Sequence, residues 1–394
     1  MPALKFDLAI SDEEGLTEKK EWKLDGKLLS VLDPGTSAPD FCDVDNVPFI
    51  PGLDLCERFF FDLVKPLLDK DYPSLEYVAC RLGEGSDVLG FDTNQSRDHD
   101  WGPKFDLLLE DEQHIDELNT FFSKHLRGKS ICGYSTQFQR FTEQDGATTL
   151  VNTPDDDEST CHGIRIMTMK QFFVSYLNWQ IGTGEPTLED WLTFPTRIRT
   201  QLAYYPKDIW LYLIGCCWQR IGQEEHLMCR AGQAEDELGS AIIASRLIRD
   251  VMRLTFLLEK QYCPYAKWLG TAFRRCTTHG SSLEPILQQV QLAQTWQERE
   301  QYINQAYERL ALLTKEKLSD IIDSTKYSIP SERSQFHGRP FYVINGGAIA
   351  DIIFAQIENA QIRQLPRIGS TDLFIDNTDA MLSELRLKMK RIFQ

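Results

Sequence analysis

Arg81-Leu-Gly-Glu-Gly-Ser-Asp-Val-Leu-Gly-Phe-Asp-Thr-Asn-Gln-Ser-Arg-Asp-His-Asp-Trp-Gly102 is the stretch whose reading decides the fold. It continues an alternating, β-forming run, Leu75 to Leu82, which predicts a strand entering a turn at Gly83 to Ser86. Gly85 has no side chain, so a triphosphate can approach its backbone N–H groups closely, and Ser86 adds a hydroxyl donor. On a strand from Asp98 to Trp101, the carboxylates of Asp98 and Asp100 point to one face and His99 to the other. Two carboxylates on one face suit Mg²⁺ (or Mn²⁺), a hard cation that takes oxygen ligands and is completed by substrate phosphates. Two such ions bridge the attacking and leaving oxygens of an in-line displacement at phosphorus.

Asp-x-Asp by itself occurs by chance on surface strands and turns, and Gly-Ser is a weaker signal still. Their order is what carries weight. An apolar strand is followed by Gly-Ser, an eleven-residue segment, Asp-x-Asp, and a second apolar strand resuming at Phe105 to Leu109.

That order resembles the nucleotidyltransferase superfamily, which includes polymerase β-like enzymes and the aminoglycoside nucleotidyltransferases. The longer text from Gly85 to Pro103 is similar to an uncharacterised microbial family assigned to that superfamily. So are Asp236 to Ser240, Arg246 to Arg253, Pro264 to Trp268, Arg339 to Phe341 and Ile368 to Ser370. The resemblance runs from about residue 50 to near the end. It implies an α+β fold, with a nucleotidyltransferase-like mixed sheet and helices followed by a mostly helical C-terminal domain. It also implies catalytic, metal-binding roles for Asp98 and Asp100, a triphosphate on Gly85 and Ser86, and an NTP as co-substrate. Superfamily members bring a third carboxylate from a later strand. Here that strand reads Gly163-Ile-Arg-Ile-Met-Thr168, with Arg165 where the acid is expected; Glu143 or Asp145 could serve instead from the preceding loop, though neither sits in a recognisable motif.

Working outward, residues 1–48 are polar and read as an extended arm. Apolar residues from Leu53 to Leu67 recur at helical spacing, and Pro73 ends that helix. Asp111 to Leu126 predicts another helix, and Ser130 to Thr136 and Gly163 to Met167 predict strands. The acidic run Thr153 to Thr160 reads as a solvated loop. After Lys170 the pattern turns helical, at Lys207 to Gly222, Ala234 to Gln261 and Leu283 to Leu318, with a basic amphipathic helix at Met381 to Phe393. The expected organisation is therefore an arm (1–48), a nucleotidyltransferase-like domain (49–180) and a helical substrate or closing domain (181–394).

Several cations are candidates for phosphate or substrate contacts, each with a structural alternative. Lys104 either meets a phosphate or is an exposed lysine beside a strand. Arg246, Arg249 and Arg253 share one helix face, either in ion pairs with nearby acids or as bidentate anion ligands. Lys267 either contacts substrate or lays its stem on Trp268. Asp92 either assists a metal or forms a turn, and Asp236 and Glu237 first of all start a helix.

Composition bounds the function classes. The 394 residues carry a net charge of −17, which argues against bulk binding to nucleic acid or to an anionic membrane. No leader or spanning segment is read, and ten dilute cysteines, with Cys216-Cys217 adjacent in an apolar run, predict reduced thiols and a cytoplasmic protein. There is no Gly-x-Ser-x-Gly elbow and no P-loop. The expectation is Mg²⁺-dependent transfer of a nucleoside monophosphate to a hydroxyl of a small-molecule acceptor. The alternatives are a nucleotide-binding regulatory protein of the same fold that has lost turnover, and a scaffold repurposed for another metabolic reaction.

Overall fold

The structure is a computed structural model describing residues 47–83, 85–140, 148–151, 160–180, 186–195, 202, 204–377 and 383–393. These residues fall into two compact units, one up to residue 180 and one from residue 186. The chain is α+β, with small sheets in its N-terminal part and a helical C-terminal part. Most of the expected arm, along with Glu143, Asp145 and the acid-rich loop 152–159, lies outside the described residues.

The first unit opens with α1 (Gly52–Arg58), a π-helical turn (Phe59–Val64) and α2 (Lys65–Asp71) in unbroken succession. Their apolar side, with Leu55, Phe59, Val64 and Leu68 buried, packs on a three-stranded sheet. In that sheet β1 (Tyr77–Cys80) runs antiparallel to β2 (Phe105–Leu109). After α3 (Ile115–His125) and short strands β3 (Ser130–Ile131), β4 (Tyr134–Ser135), β5 (Gln137–Arg140), β6 (Thr148–Leu150) and β7 (Cys161–His162), the chain returns as β8 (Ile164–Thr168), parallel to β2. Strand β2 is central and every one of its residues is buried, which is why it reads as Phe-Asp-Leu-Leu-Leu without alternation. Helix α4 (Met169–Leu177) follows β8 directly, started by a capping box between Thr168 and Gln171.

No strand forms over Asp98 to Trp101. Asn94–Asp98 is a 3₁₀ turn begun by a reciprocal Thr93–Ser96 capping box, and Asp100 takes the left-handed conformation at φ 51°. A left-handed residue breaks an extended run, so β2 starts only at Phe105. The alternation placing Asp98 and Asp100 on one face, with His99 opposite, therefore does not apply.

The second unit is built around α6 (Lys207–Gln233), which follows α5 (Leu188–Thr193) and packs against α7 (Glu237–Leu258). Next come α8 (Leu269–Cys276), α9 (Gly280–Leu292), α10 (Trp296–Lys317), the hairpin β9 (Ser334–Gln335) to β10 (Tyr342–Val343), and α11 (Gly346–Phe354). Helix α6 does not stop at Gly222 as the sequence suggests. A Cβ at Gly222 would stand 2.4 Å from the Gly347 nitrogen, so this glycine lets α11 approach the backbone of α6 rather than ending the helix. Trp218, Leu247, Leu254, Tyr307 and Leu310 fill the core. At the C-terminal end Ser383–Met389 is helical, and Phe393 is buried. Cys216 and Cys217 are buried free thiols, and among the described residues no helix is long and apolar enough to cross a membrane.

Candidate functional site

Strand β1 delivers Arg81 and Leu82 to one end of the small sheet, where two buried carboxylates wait for them. The Arg81 guanidinium takes Asp87 in a two-pronged bond, Nε to Oδ2 at 2.8 Å and Nη2 to Oδ1 at 3.2 Å. Asp106 on β2 accepts the Leu82 amide at 2.9 Å and pairs with Nε of Arg165 on β8. Register explains this second pair, because Cys80, Asp106 and Arg165 lie side by side across the three strands. A buried carboxylate is tolerable only when its charge is matched, and each of these has an arginine.

The glycine turn wraps this pair of ion pairs. Gly85 sits at φ 142°, and a Cβ there would fall 2.0 Å from Asp87 Oδ1 and 3.0 Å from Arg81 Nη2. Only glycine fits. Beyond it, the Gly90 amide bonds the Asp87 carbonyl and the Phe91 amide the Ser86 carbonyl, both at 2.9 Å, closing a compact loop. Arg165 lies 5.0 Å from the centre of the Tyr176 ring, and a Cβ on Gly83 would meet both side chains at 3.4–3.5 Å. Its side chain is 39% exposed, so it keeps a face to solvent at the turn.

Lys104 enters from the start of β2. Its ammonium is 3.6 Å from Asp100 Oδ1, and its carbonyl accepts the buried Cys56 thiol at 2.6 Å. Burial, reinforced by Arg81, pulls the lysine down to about 8, with Asp100 and Asp87 acting the other way. Asp100 is pinned from a distance in sequence: its Oδ1 accepts the amide (3.1 Å) and hydroxyl (3.2 Å) of Thr148. Gly85, Asp87 and Lys104 thus stand close to Arg81, and Asp100 joins them through Lys104.

Asp98 stands apart. Its carboxylate is 66% exposed and meets His99, through the amide at 3.0 Å and Nδ1 at 3.1 Å. His99 is itself exposed, so it is neither packed nor turned away from Asp98. Asp92 is structural: Oδ2 accepts the Gly52 amide at 2.6 Å and Trp101 Nε1 at 3.0 Å, placing a carboxylate at the start of α1.

Asp98 and Asp100 are the exposed carboxylates of this region, engaged with His99 and with Lys104 and Thr148 respectively, while Asp87 and Asp106 are already neutralised by arginine. Among the described residues no group of three or more His, Cys, Asp or Glu is placed to hold a metal ion.

The other predicted cations belong to the second unit. Arg246 pairs with Glu224 at 2.5 Å and Arg249 with Asp376 at 2.5 Å. Arg253 donates to the Leu373 carbonyl at 3.3 Å and, with Tyr205, Gln261, Tyr262 and Ser370, lines a small cleft of about 50 Å³. Lys267 is exposed and holds its ammonium 5.2 Å from the Trp268 ring centre. Asp236 caps α7 by accepting the Gly239 amide at 2.7 Å, and Glu237 accepts Arg299 at 2.5 Å.

Sequence reasoning passed over Arg81, Asp87 and Asp106, although a lone Asp inside the apolar run Phe105 to Leu109 signals a buried, paired charge. It also passed over Glu225. This buried residue of α6 accepts the Ile344 and Gly346 amides at 2.8 and 3.0 Å and so occupies the N-terminus of α11. Burial pushes its carboxyl up to about 7 against the pull of those amides.

Residues 185–269 match a family model described as a domain of unknown function, DUF4037. The match spans α5 to the Lys267 region and includes Arg246 and Arg253, whereas Gly85, Ser86, Asp98, Asp100 and Lys104 lie outside it. No curated protein and no solved structure matches the chain.

Proposed function

We propose that this chain is a nucleotidyltransferase that binds the phosphates of a nucleoside triphosphate at the Gly83–Ser86 turn and moves the nucleoside monophosphate to a hydroxyl of a small-molecule acceptor. One observation carries the reading. A glycine turn with no room for a Cβ is bordered by Arg165 and Lys104, and the buried carboxylates around it are already matched by arginine. Such a turn lets a phosphate chain approach closely beside the Lys104 ammonium and the exposed face of Arg165.

In the proposed reaction the acceptor hydroxyl oxygen forms a bond to the α-phosphorus and releases its proton to solvent, the bond to the bridging oxygen breaks, and pyrophosphate leaves with the electron pair. Asp98 and Asp100 would hold Mg²⁺, which when bound with the nucleotide supplies charge neutralisation at the transferring group. Arg165 and Lys104 hold the phosphates in line, and the Arg81–Asp87 pair fixes the turn that positions them.

A second reading, nucleotide binding without turnover, has its own observation in favour. The position opposite Asp106 on β8 holds a cation, Arg165, and Asp98 stands in solvent engaged with His99. Incubation with each labelled NTP, Mg²⁺ and an acceptor panel separates the two. Pyrophosphate release that Asp98→Asn or Asp100→Asn reduces at least a hundredfold, in a protein that still melts normally, supports transfer. Nucleotide binding with no release across the panel supports the second reading. Full activity in both variants refutes the metal assignment.

A further inference from the structure

In a chain of net charge −17, most arginines of the second unit are expected to find carboxylates, and Arg220, Arg246, Arg249, Arg299 and Arg367 each do. Others, Arg253 and Arg309 among them, bond backbone carbonyls instead, and Arg230 and Arg339 pair with no acid among the described residues. They are brought to the same place. His226, Arg230 and Gln233 follow one another at i, i+4 and i+7, so they share a face of α6. The β9–β10 hairpin folds onto that face, stacking Phe336 on the His226 ring (centroids 4.8 Å apart, 25°) and donating Arg339 Nη1 to Gln233 Oε1 at 3.2 Å.

The hairpin tip is held rigidly. His337 and Gly338 are successive left-handed residues, at φ 46° and 71°, closed by the Arg339 amide on the Phe336 carbonyl at 2.8 Å. Gln335 Nε2 ties the Arg339 carbonyl at 3.0 Å, and the Phe336 ring is stacked on Phe341 as well as on His226. The tip therefore presents His337 and Arg339 on a fixed frame beside His226 and Arg230. Burial first, and then the charges of Arg230, Arg339 and His337, push the His226 imidazole below its usual 6.5. The two guanidinium groups have no acid paired with them among the described residues, and a bound anion neutralises them.

We propose that Arg230, Arg339, His226 and His337 form a binding site for a compact phosphate anion, such as inorganic tripolyphosphate or the phosphate tail of a nucleotide. Two guanidinium groups match phosphate oxygens bidentately. Compactness follows from the charge of the chain, because an extended polyanion would run from this patch into a net acidic surface. The site is made of second-unit residues alone and does not depend on the transfer reaction.

Titration calorimetry with sodium tripolyphosphate, and separately with ATP, at fixed ionic strength tests it. The double variant Arg230→Gln/Arg339→Gln should bind tripolyphosphate at least tenfold more weakly, with an unchanged melting profile, while Arg230→Lys/Arg339→Lys keeps part of the affinity. Lys104→Gln, which alters only the other phosphate site, should leave this binding step in place. Equal affinity for tripolyphosphate and ATP assigns recognition to the phosphates; tighter ATP binding that the double variant abolishes assigns it to a nucleotide. Unchanged binding by the double variant, no binding by the wild type, or preference for a poly-glutamate peptide would overturn the proposal.

Discussion

The Gly83–Lys104 region and the α6–α7 interface both bury charge, but they neutralise it in opposite ways. In the first, Arg81 and Asp87 are six residues apart, and a glycine that tolerates no side chain bends the chain so that they meet. In the second, Arg220 and Asp250 come from two regular helices and meet because their faces pack. The first region leaves charge at its surface, with Arg165, Asp98 and Asp100 all substantially exposed. The helical interface instead consumes its charges in packing: Asp250 has no exposure, and Glu225 is turned onto the amides of α11. Charges held by a loop remain offered to a ligand, whereas charges held between helices serve the fold.

The hardest test of that contrast is Asp87→Ala. It strands the buried Arg81 guanidinium and should cost roughly 3–5 kcal/mol in denaturant unfolding. A loss below about 1 kcal/mol would mean that water reaches Arg81 and that the turn is not sealed.

Glu225→Gln comes next and is read through pH. The folded carboxyl keeps its proton up to about 7 while an ordinary one loses it near 4.5, so the folded chain binds more protons between those values. Stability contributed by this group is complete below about 4.5 and is lost as pH rises through about 7. Its part of the decline should be on the order of 3 kcal/mol and should vanish in the Gln variant. Identical pH–stability curves for the two proteins would contradict the burial of Glu225.

Gly85→Ala should cost about 1–3 kcal/mol through its backbone conformation, and more where Asp87 cannot move aside. Its larger signature is loss of phosphate binding at the turn, since the added methyl pushes on the Arg81–Asp87 pair. Lys267→Ala should be the mildest change, near 0.5 kcal/mol, because it removes only a cation–aromatic contact at an exposed position. Altered NTP kinetics in this variant would restore a substrate role to Lys267.

The sequence revealed the glycine turn, the strand before it, the apolar strand after it and the long helices, because each is encoded by neighbours in the chain. The conformation of Asp98 to Trp101 was hidden for a physical reason. Asp-His-Asp-Trp has a strand-like pattern, but the Thr93–Ser96 box starts a 3₁₀ turn, and Thr148, some fifty residues on, bonds Asp100 in a left-handed conformation. Such non-local bonds override a local pattern. Gly222 misled in the same manner, since a glycine that admits a neighbouring helix reads like one that ends its own. The pairing of Asp106 with Arg165 depends on strand register, which no short window of sequence contains.

The π turn at Phe59–Val64 has a mechanical consequence. Consecutive rings, Phe59 and Phe60, both press on Phe105, at centroid distances of 5.6 and 5.5 Å. The wider i→i+5 turn rotates successive side chains through a slightly smaller angle than an α-helix does, and both rings reach one target. Phe105 is the first residue of β2, and Lys104 precedes it by a single peptide. The two rings therefore act as a clamp on the root from which the lysine is cantilevered.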